Sequence, residues 1–450
     1  MKLTFYGGAQ EVTGACYLLE TDSARILIDC GLFQCPRFCA PRNVEDFPFD
    51  PAAIDALIVT HGHIDHIGRV PKLARHGFRG RIYSTHPTKD FAALMLEDSL
   101  GILEKEARDE NTETFYGEQD IAQALSLWEG KDYGEEFTVK GVRIRFKNAG
   151  HILGSAVAVL TLEDGREIAF TGDLGNSPTP LLGSSEIIEG AAYLVIESAY
   201  GNRVHEDTGA RKAKLERVIE ETFARGGALI IPAFSLERTQ ELLYELNELI
   251  ENHRIPRVPV FLDSPLAIKA TQIYKRHSRY FSKEARALLK EGDDLFGFPG
   301  LQMTERTEES KSINGVPSPK VIIAGAGMMQ GGRILHHAKR YLPDSKSTLL
   351  FIGYQAAGSI GRRLFDGAHE VTIHGETVPV RATIKAIGGY SAHADSDALF
   401  EYIEHTAGSL KKVFVVQGEP DAALYLVQRL RDNLGIDATA PKYGESFILE

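Results

Sequence analysis

The stretch "IVTHGHIDHIG", Ile58 to Gly68, sets three histidines and an aspartate into six positions directly behind an apolar run. His61 and His63 stand two apart just past what reads as a strand. The glycine between them lets both imidazoles turn toward one point. Asp65 and His66 follow at the expected start of a helix and can face a neighbouring point. Together they form a natural seed for two metal ions a few ångströms apart, with an N/O ligand set suited to zinc or manganese. A polar loop with locally bonded histidines would be the plainer account of one such residue. It accounts poorly for a six-residue cluster.

Two ions need more ligands, and the surrounding sequence offers them where strands end. The first 200 residues read as short strands parted by Gly-rich turns: "ARILIDCG", "DALIVTHG", "GRIYSTH", "VRIRFKNAG", "REIAFTGD" and "AAYLVIES". Asp29, His61, His151, Asp173 and Glu197 each sit at or just past the carboxyl end of such a run, where open α/β sheets hold their ligands. Singly, His151 in "NAGHILGS" and Asp173 in "TGDLG" would read as structural residues. Beside the cluster they read as ligands, with Asp173 able to bridge two cations and His151 completing the first set. Asp29 is different, because a carboxylate at the end of an apolar strand needs compensation. A hydrogen bond to the far nitrogen of a ligand histidine, or to backbone N–H groups, would supply it.

From about Gly201 the rhythm changes to strand then helix. "ALIIPAF" precedes "SLERTQELLYELNELI", "PVFLDSP" precedes "LAIKATQIYKRH", and "KVIIAGAG" precedes a Gly-rich turn and "RILHHAKRYL". That alternation implies a mostly parallel sheet and a second domain. Near "VTIHGETVPVRATIKAIGG" the earlier hairpin-like style returns, so residues 1–200 and 379–450 read as one discontinuous domain with residues 201–378 inserted.

Composition narrows the class. At 450 residues, 43% hydrophobic and 25% charged, the chain reads as a soluble globular protein of two to three domains. Neither a secretory segment nor a window of about eighteen apolar residues is present, which points to the cytoplasm and away from a membrane. All four cysteines (Cys16, Cys30, Cys35, Cys39) fall in the first 40 residues, which is no disulfide framework. The net charge of −12 excludes nonspecific nucleic-acid binding through the whole surface. A local basic groove remains compatible, since nine Lys/Arg stand against three Asp/Glu between His253 and Glu291.

The series "IDCG", "HGHIDH", "GH" and "GD" resembles the metallo-β-lactamase superfamily. The later segments "ESAYGNR", "LDSPLA", "GAGMMQGGRILHH", "GYQAAGSIGRRL" and "GGYSAHAD" resemble its β-CASP branch of ribonucleases. The resemblance implies a metallo-β-lactamase αββα sandwich with an inserted β-CASP α/β domain. It implies two Zn2+ ions, with Mn2+ an alternative, held by His61, His63, Asp65, His66, His151 and Asp173. By the same resemblance Glu197 orients His393, which protonates the leaving oxygen, and Asp65, Glu197 and His393 form the catalytic group. One position departs: the resemblance implies a histidine ligand of the second metal in the turn after "KVFVV", and Gln417 stands there, whose neutral amide oxygen would be a weaker ligand. The intact "HGE" at His374 to Glu376 precedes His393 and reads as a coincidental match.

Paired cations about 3.5–4 Å apart would lower the pKa of a shared water and neutralise charge on a phosphoryl oxygen during in-line attack. Expulsion of a 3′ oxygen would leave 5′-phosphate and 3′-hydroxyl ends. The implied partner is single-stranded RNA in a cleft between the domains; endonuclease and 5′ exonuclease action, and a homodimer, are all compatible. Arg333, Arg362 and Arg363 are natural phosphate contacts, and His336 or His337 is expected at the surface unless the cleft places it inward. Two other readings are a small-molecule hydrolase of the same superfamily and an RNA-binding scaffold with impaired catalysis. Gln417 alone favours the scaffold.

Overall fold

The computed structural model describes residues 1–34, 40–177, 179–206, 208–356 and 358–450. The chain forms two compact units, Met1–Val204 with His393–Glu450, and His205–Ala392. Cys35 and Cys39 lie outside the described residues, while Cys16 and Cys30 are buried thiols.

In the first unit two seven-stranded sheets face each other. One runs Ser446–Ile448, Lys2–Phe5, Tyr17–Glu20, Arg25–Ile28, Ala56–Ile58, Arg81–Thr85, Trp128–Lys131; the other runs Ala438–Thr439, Lys412–Val416, Tyr193–Glu197, Glu167–Phe170, Ala156–Thr161, Val142–Asn148, Phe137–Val139. The period of two along a strand decides which core each side chain joins. Along Ala156–Thr161, Ala156, Ala158 and Leu160 enter the core between the sheets with Phe5, Ile28 and Phe146. Val157 and Val159 turn outward, against Leu399, Ile403, Leu426 and Leu430 of the helices Ser396–Thr406 and Pro420–Leu434. The other sheet does the same, sending Leu18, Leu27 and Leu57 toward Leu73 and Leu96 of the helices Val70–Arg75 and His86–Glu110. Strands covered on both faces read as continuous apolar runs. Each fully buried Leu or Phe contributes about 1.5–3 kcal/mol, and these cores hold the strand ends in place. The result is the four-layer αββα sandwich that the resemblance implied.

The second unit contains a six-stranded sheet, parallel throughout, ordered Leu301–Met303, Val260–Asp263, Lys320–Ala324, Ala228–Pro232, Thr348–Phe351, Thr383–Ala386. Its presence matches the expected strand-then-helix rhythm. The chain leaves this unit at residue 392 rather than at 378, because Thr383–Ala386 pairs with Thr348–Phe351 instead of rejoining the first unit. The hairpin-like sequence before it is a separate two-stranded ribbon, Glu370–Ile373 with Glu376–Pro379. His374 and Gly375 form its two-residue turn, at φ +51° and +77°, which fixes the "HGE" as a hairpin turn of the second unit.

Candidate active site

Six strands of the first unit deliver their polar endings to one place. Asp29 follows Arg25–Ile28, His61 follows Ala56–Ile58, His151 follows Val142–Asn148, Asp173 follows Glu167–Phe170, Glu197 ends Tyr193–Glu197, and Gln417 follows Lys412–Val416. The turn that carries His63, Asp65 and His66 is laced to its neighbours by backbone hydrogen bonds. Ala15 N–H donates to Asp65 O at 3.0 Å, Cys30 N–H to His66 O at 2.8 Å and Leu32 N–H to Ile64 O at 3.0 Å. Such lacing needs Gly31, since a Cβ there would stand 1.4 Å from the Asp65 carbonyl oxygen.

Four donors converge at the centre. His63 Nδ1 lies 3.1 Å from His61 Nε2 and 3.2 Å from His151 Nε2. Asp173 Oδ2 lies 3.4 Å from His61 Nε2 and 3.5 Å from His151 Nε2. A tetrahedral zinc with bonds of about 2.0–2.1 Å requires donor-to-donor edges of about 3.3 Å. Three imidazole nitrogens and one carboxylate oxygen at these spacings fit such an ion. Burial, with the neighbouring ring charges, lowers the pKa of His61, and more strongly those of His63 and His151, so the three rings are neutral as metal ligands must be. Burial opposes the charge of Asp173, but His66 and His61 outweigh it and hold the carboxyl well below its usual range.

A second group of donors adjoins the first through the other oxygen of Asp173. His66 Nε2 lies 3.3 Å from Asp173 Oδ1 and 4.0 Å from Asp65 Oδ2. Asp29, fully buried and at φ +56°, accepts from Thr60 N–H and Thr60 Oγ1, both at 2.8 Å, and its Oδ2 contacts His66 Nδ1 at 2.8 Å. That contact holds a proton on Nδ1 and leaves Nε2 facing the site. Where the histidine was expected, Gln417 places its Nε2 at 2.7 Å from His66 Nε2 and 3.1 Å from Asp173 Oδ1. The Tyr17 hydroxyl, kept protonated by burial, donates to Gln417 Oε1 at 3.4 Å, which orients the amide. Burial disfavours the His66 imidazolium, yet Asp173 and Asp29 outweigh burial and raise its pKa. A proton on Nε2 would meet the amide N–H head-on, so the 2.7 Å contact belongs to the neutral ring.

Beside this centre His393 Nδ1 sits 3.0 Å from Glu197 Oε2 and 3.8 Å from Asp173 Oδ2. Burial works against its charge, while Glu197 and then Asp173 outweigh it and raise the pKa to about 9. Glu197, buried, also accepts the Leu174 N–H at 2.6 Å, and Ala394 N–H donates to Leu174 O at 2.8 Å, so His393 and Glu197 are both tied to the segment at Leu174 and Gly175.

All the metal-ligand candidates therefore meet, with Asp29, Glu197 and His393 around them. The three arginines belong to the second unit and have partners within it. Arg333 turns inward, donating from Nη1 to Asp263 Oδ1 and to Thr304 O at 2.7 and 2.8 Å, and from Nη2 to Glu305 O at 2.6 Å. Arg362 pairs with Asp366 at 2.8 Å, and Arg363 reaches Glu370 O at 3.5 Å. Of the two histidines His336 is exposed, and His337 is buried with its Nε2 2.7 Å from Asp263 Oδ2, where it answers the carboxylate charge. Sequence reasoning missed Thr60 and Tyr17. Thr60, the residue before His61, carried a signal in its place at a strand end; Tyr17 lies inside a strand and carried none.

Comparison with known proteins agrees with this geometry. Residues 9–200 match the metallo-beta-lactamase superfamily, residues 239–364 the Beta-Casp domain, and residues 377–441 the Zn-dependent metallo-hydrolase RNA specificity domain. Ribonuclease TTHA0252 of Thermus thermophilus is 38% identical over 99% of both chains. The chain belongs to the β-CASP branch of the metallo-β-lactamase superfamily. Other β-CASP relatives include an RNase J-like protein of Methanocaldococcus jannaschii, 34% identical over 98% of both chains. The transcription termination factor FttA of the same organism is 35% identical over 96% of this chain and 69% of its own length. A crystal structure of a protein of unknown function from Enterococcus faecalis V583 shares the fold, with a TM-score of 0.58 at 13% identity over 100% of this chain and 99% of that one. Among the described residues no helix is long and apolar enough to cross a membrane.

Proposed function

We propose that this chain is a metal-dependent ribonuclease that hydrolyses phosphodiester bonds of single-stranded RNA, leaving 5′-phosphate and 3′-hydroxyl ends. The observation that carries the proposal is the set of four donors, His61, His63, His151 and Asp173, at the edge lengths of a tetrahedral zinc site. It lies in a chain whose full-length relative is named a ribonuclease. Zinc suits this nitrogen-rich set, with manganese the alternative. When bound, such cations lower the pKa of water and oppose the charge that develops on a phosphoryl oxygen.

The chain's own residues do the rest. His61, His63 and His151 present neutral nitrogens, and Asp173 offers Oδ2 to their group and Oδ1 to that of His66 and Asp65. Asp29 keeps the His66 ring in the tautomer that faces inward. His393 carries a proton, with Nδ1 held by Glu197 so that the opposite ring nitrogen serves the departing 3′ oxygen. Glu197 acts through His393 and is a positioning residue. Gln417 makes the second group of donors the weaker site.

Asp65→Ala tests the reading. We expect it to abolish RNA cleavage with little change in thermal unfolding, and chelation of the wild-type chain to do the same until Zn2+ or Mn2+ is restored. Near-normal cleavage by the variant would remove the metal mechanism.

A further inference from the structure

The parallel strands of the second unit end on one side of their sheet, the side where open α/β sheets take ligands. Phe234, two residues past the strand Ala228–Pro232, stands there with 37% of its surface exposed. Its ring rests on the backbone of the loops that follow both neighbouring strands. A Cβ at Gly327, after Lys320–Ala324, would stand 2.7 Å from Phe234 Cδ2; one at Gly353, after Thr348–Phe351, would stand 3.2 Å from its Cε2. At Gly327 a side chain would force the ring to shift, and at Gly353 it would crowd the ring by a few tenths of an ångström.

The cradle is fastened from below. Gln355 is buried, and its Nε2 donates to Gly327 O at 2.9 Å and to Gly353 O at 3.2 Å, tying the two loops together. On the Phe234 side, Thr239 Oγ1 donates to Phe234 O at 2.7 Å and Gln240 Nε2 to Ser235 O at 3.1 Å. Tyr354, between Gly353 and Gln355, is 46% exposed and adds a second aromatic to the same sheet edge. A lone surface aromatic needs no explanation. Two glycines and a buried amide clamp that hold one ring rigid do need one.

Resting on the ribonuclease reading, we infer that Phe234 is a stacking platform for one nucleobase of single-stranded RNA, with Tyr354 beside it. A rigid ring on flat backbone offers a π-face, and every base has a matching face whatever its sequence. Single-stranded RNA has such faces free to stack. Phe234 would thus add affinity without reading sequence.

Binding of a fluorescent single-stranded RNA to the full-length Asp65→Ala chain, which should not cut it, gives the test. Phe234→Leu keeps bulk and apolar character but loses the ring, and should weaken binding about five- to a hundredfold, the effect of one base stack. Phe234→Trp should retain binding, and Gly327→Ala, which displaces the ring without deleting it, should weaken it as Leu does. In an RNA carrying one abasic position walked along its length, a single position should reproduce the loss, and that position should cost nothing more once Phe234 is Leu. Equal affinity of folded Phe234→Leu and its parent, or an abasic penalty identical in both, would overturn the platform while leaving the ribonuclease reading intact. Failure of the wild-type chain to bind or cleave RNA would overturn both.

Discussion

Gln417 Nε2 lies 2.7 Å from His66 Nε2 and 3.1 Å from Asp173 Oδ1, so its two amide protons reach the atoms that a second cation would need. An amide nitrogen in that place is a donor, and it competes with metal where a histidine would add a ligand. Wild-type protein dialysed against metal-free buffer should therefore retain close to one ion per chain, and Gln417→His should move the count toward two. Equal occupancy of two ions in both, by elemental analysis, would refute this. The departure at this position was legible in the sequence. The direction of the amide was not, because the Tyr17 hydroxyl that orients it lies 400 residues away. Asp29 was more legible: a charge at the end of an apolar run has to be answered, and His66 Nδ1 answers it at 2.8 Å.

At the scale of elements, the helix read from "SLERTQELLYELNELI" is present as Arg238–Glu251, starting late because Glu237 sits at φ +63°. What the periodicity hid is how deeply its polar residues are buried. Arg238 pairs with Glu241 at 2.6 Å, and Arg211, from Arg211–Ala224, reaches Glu245 at 2.7 Å and Glu241 at 3.3 Å. A helical wheel assigns such residues to water; only the tertiary partners show why they are inside. Glu237 accepts from the Tyr274 hydroxyl, and burial, then the charge of Glu241, pushes its pKa up to about 8. The folded chain thus keeps a proton that the unfolded chain releases near 4.5. This group's stabilising effect is whole below that pH, falls as pH rises toward 8, and levels off above it. Glu237→Gln removes the titration. Its stability in urea should gain on the wild type from pH 5 to pH 8, and parallel pH profiles would contradict the assignment.

For the whole molecule, the αββα sandwich was legible because Asp29, His61, His151, Asp173 and Glu197 each stand at or just past the end of an apolar strand, and the motif series resembles one superfamily. The compact units part at Ala392/His393, some residues beyond the boundary read from the sequence. "VTIHGETVPV" has the alternation of the first unit's hairpins, and alternation does not tell which sheet, if any, a ribbon joins. Strand pairing over long separations decided it, with Thr383–Ala386 beside Thr348–Phe351.

The central claim, metal-dependent attack on phosphorus with loss of a 3′ oxygen, is tested most directly by the ends of the products. RNA labelled at either terminus should be cut by the wild-type chain into pieces with 5′-phosphate and 3′-hydroxyl ends, and chelator should stop the cutting. Products ending in a 2′,3′-cyclic phosphate, or cleavage undiminished by chelator, would contradict the account.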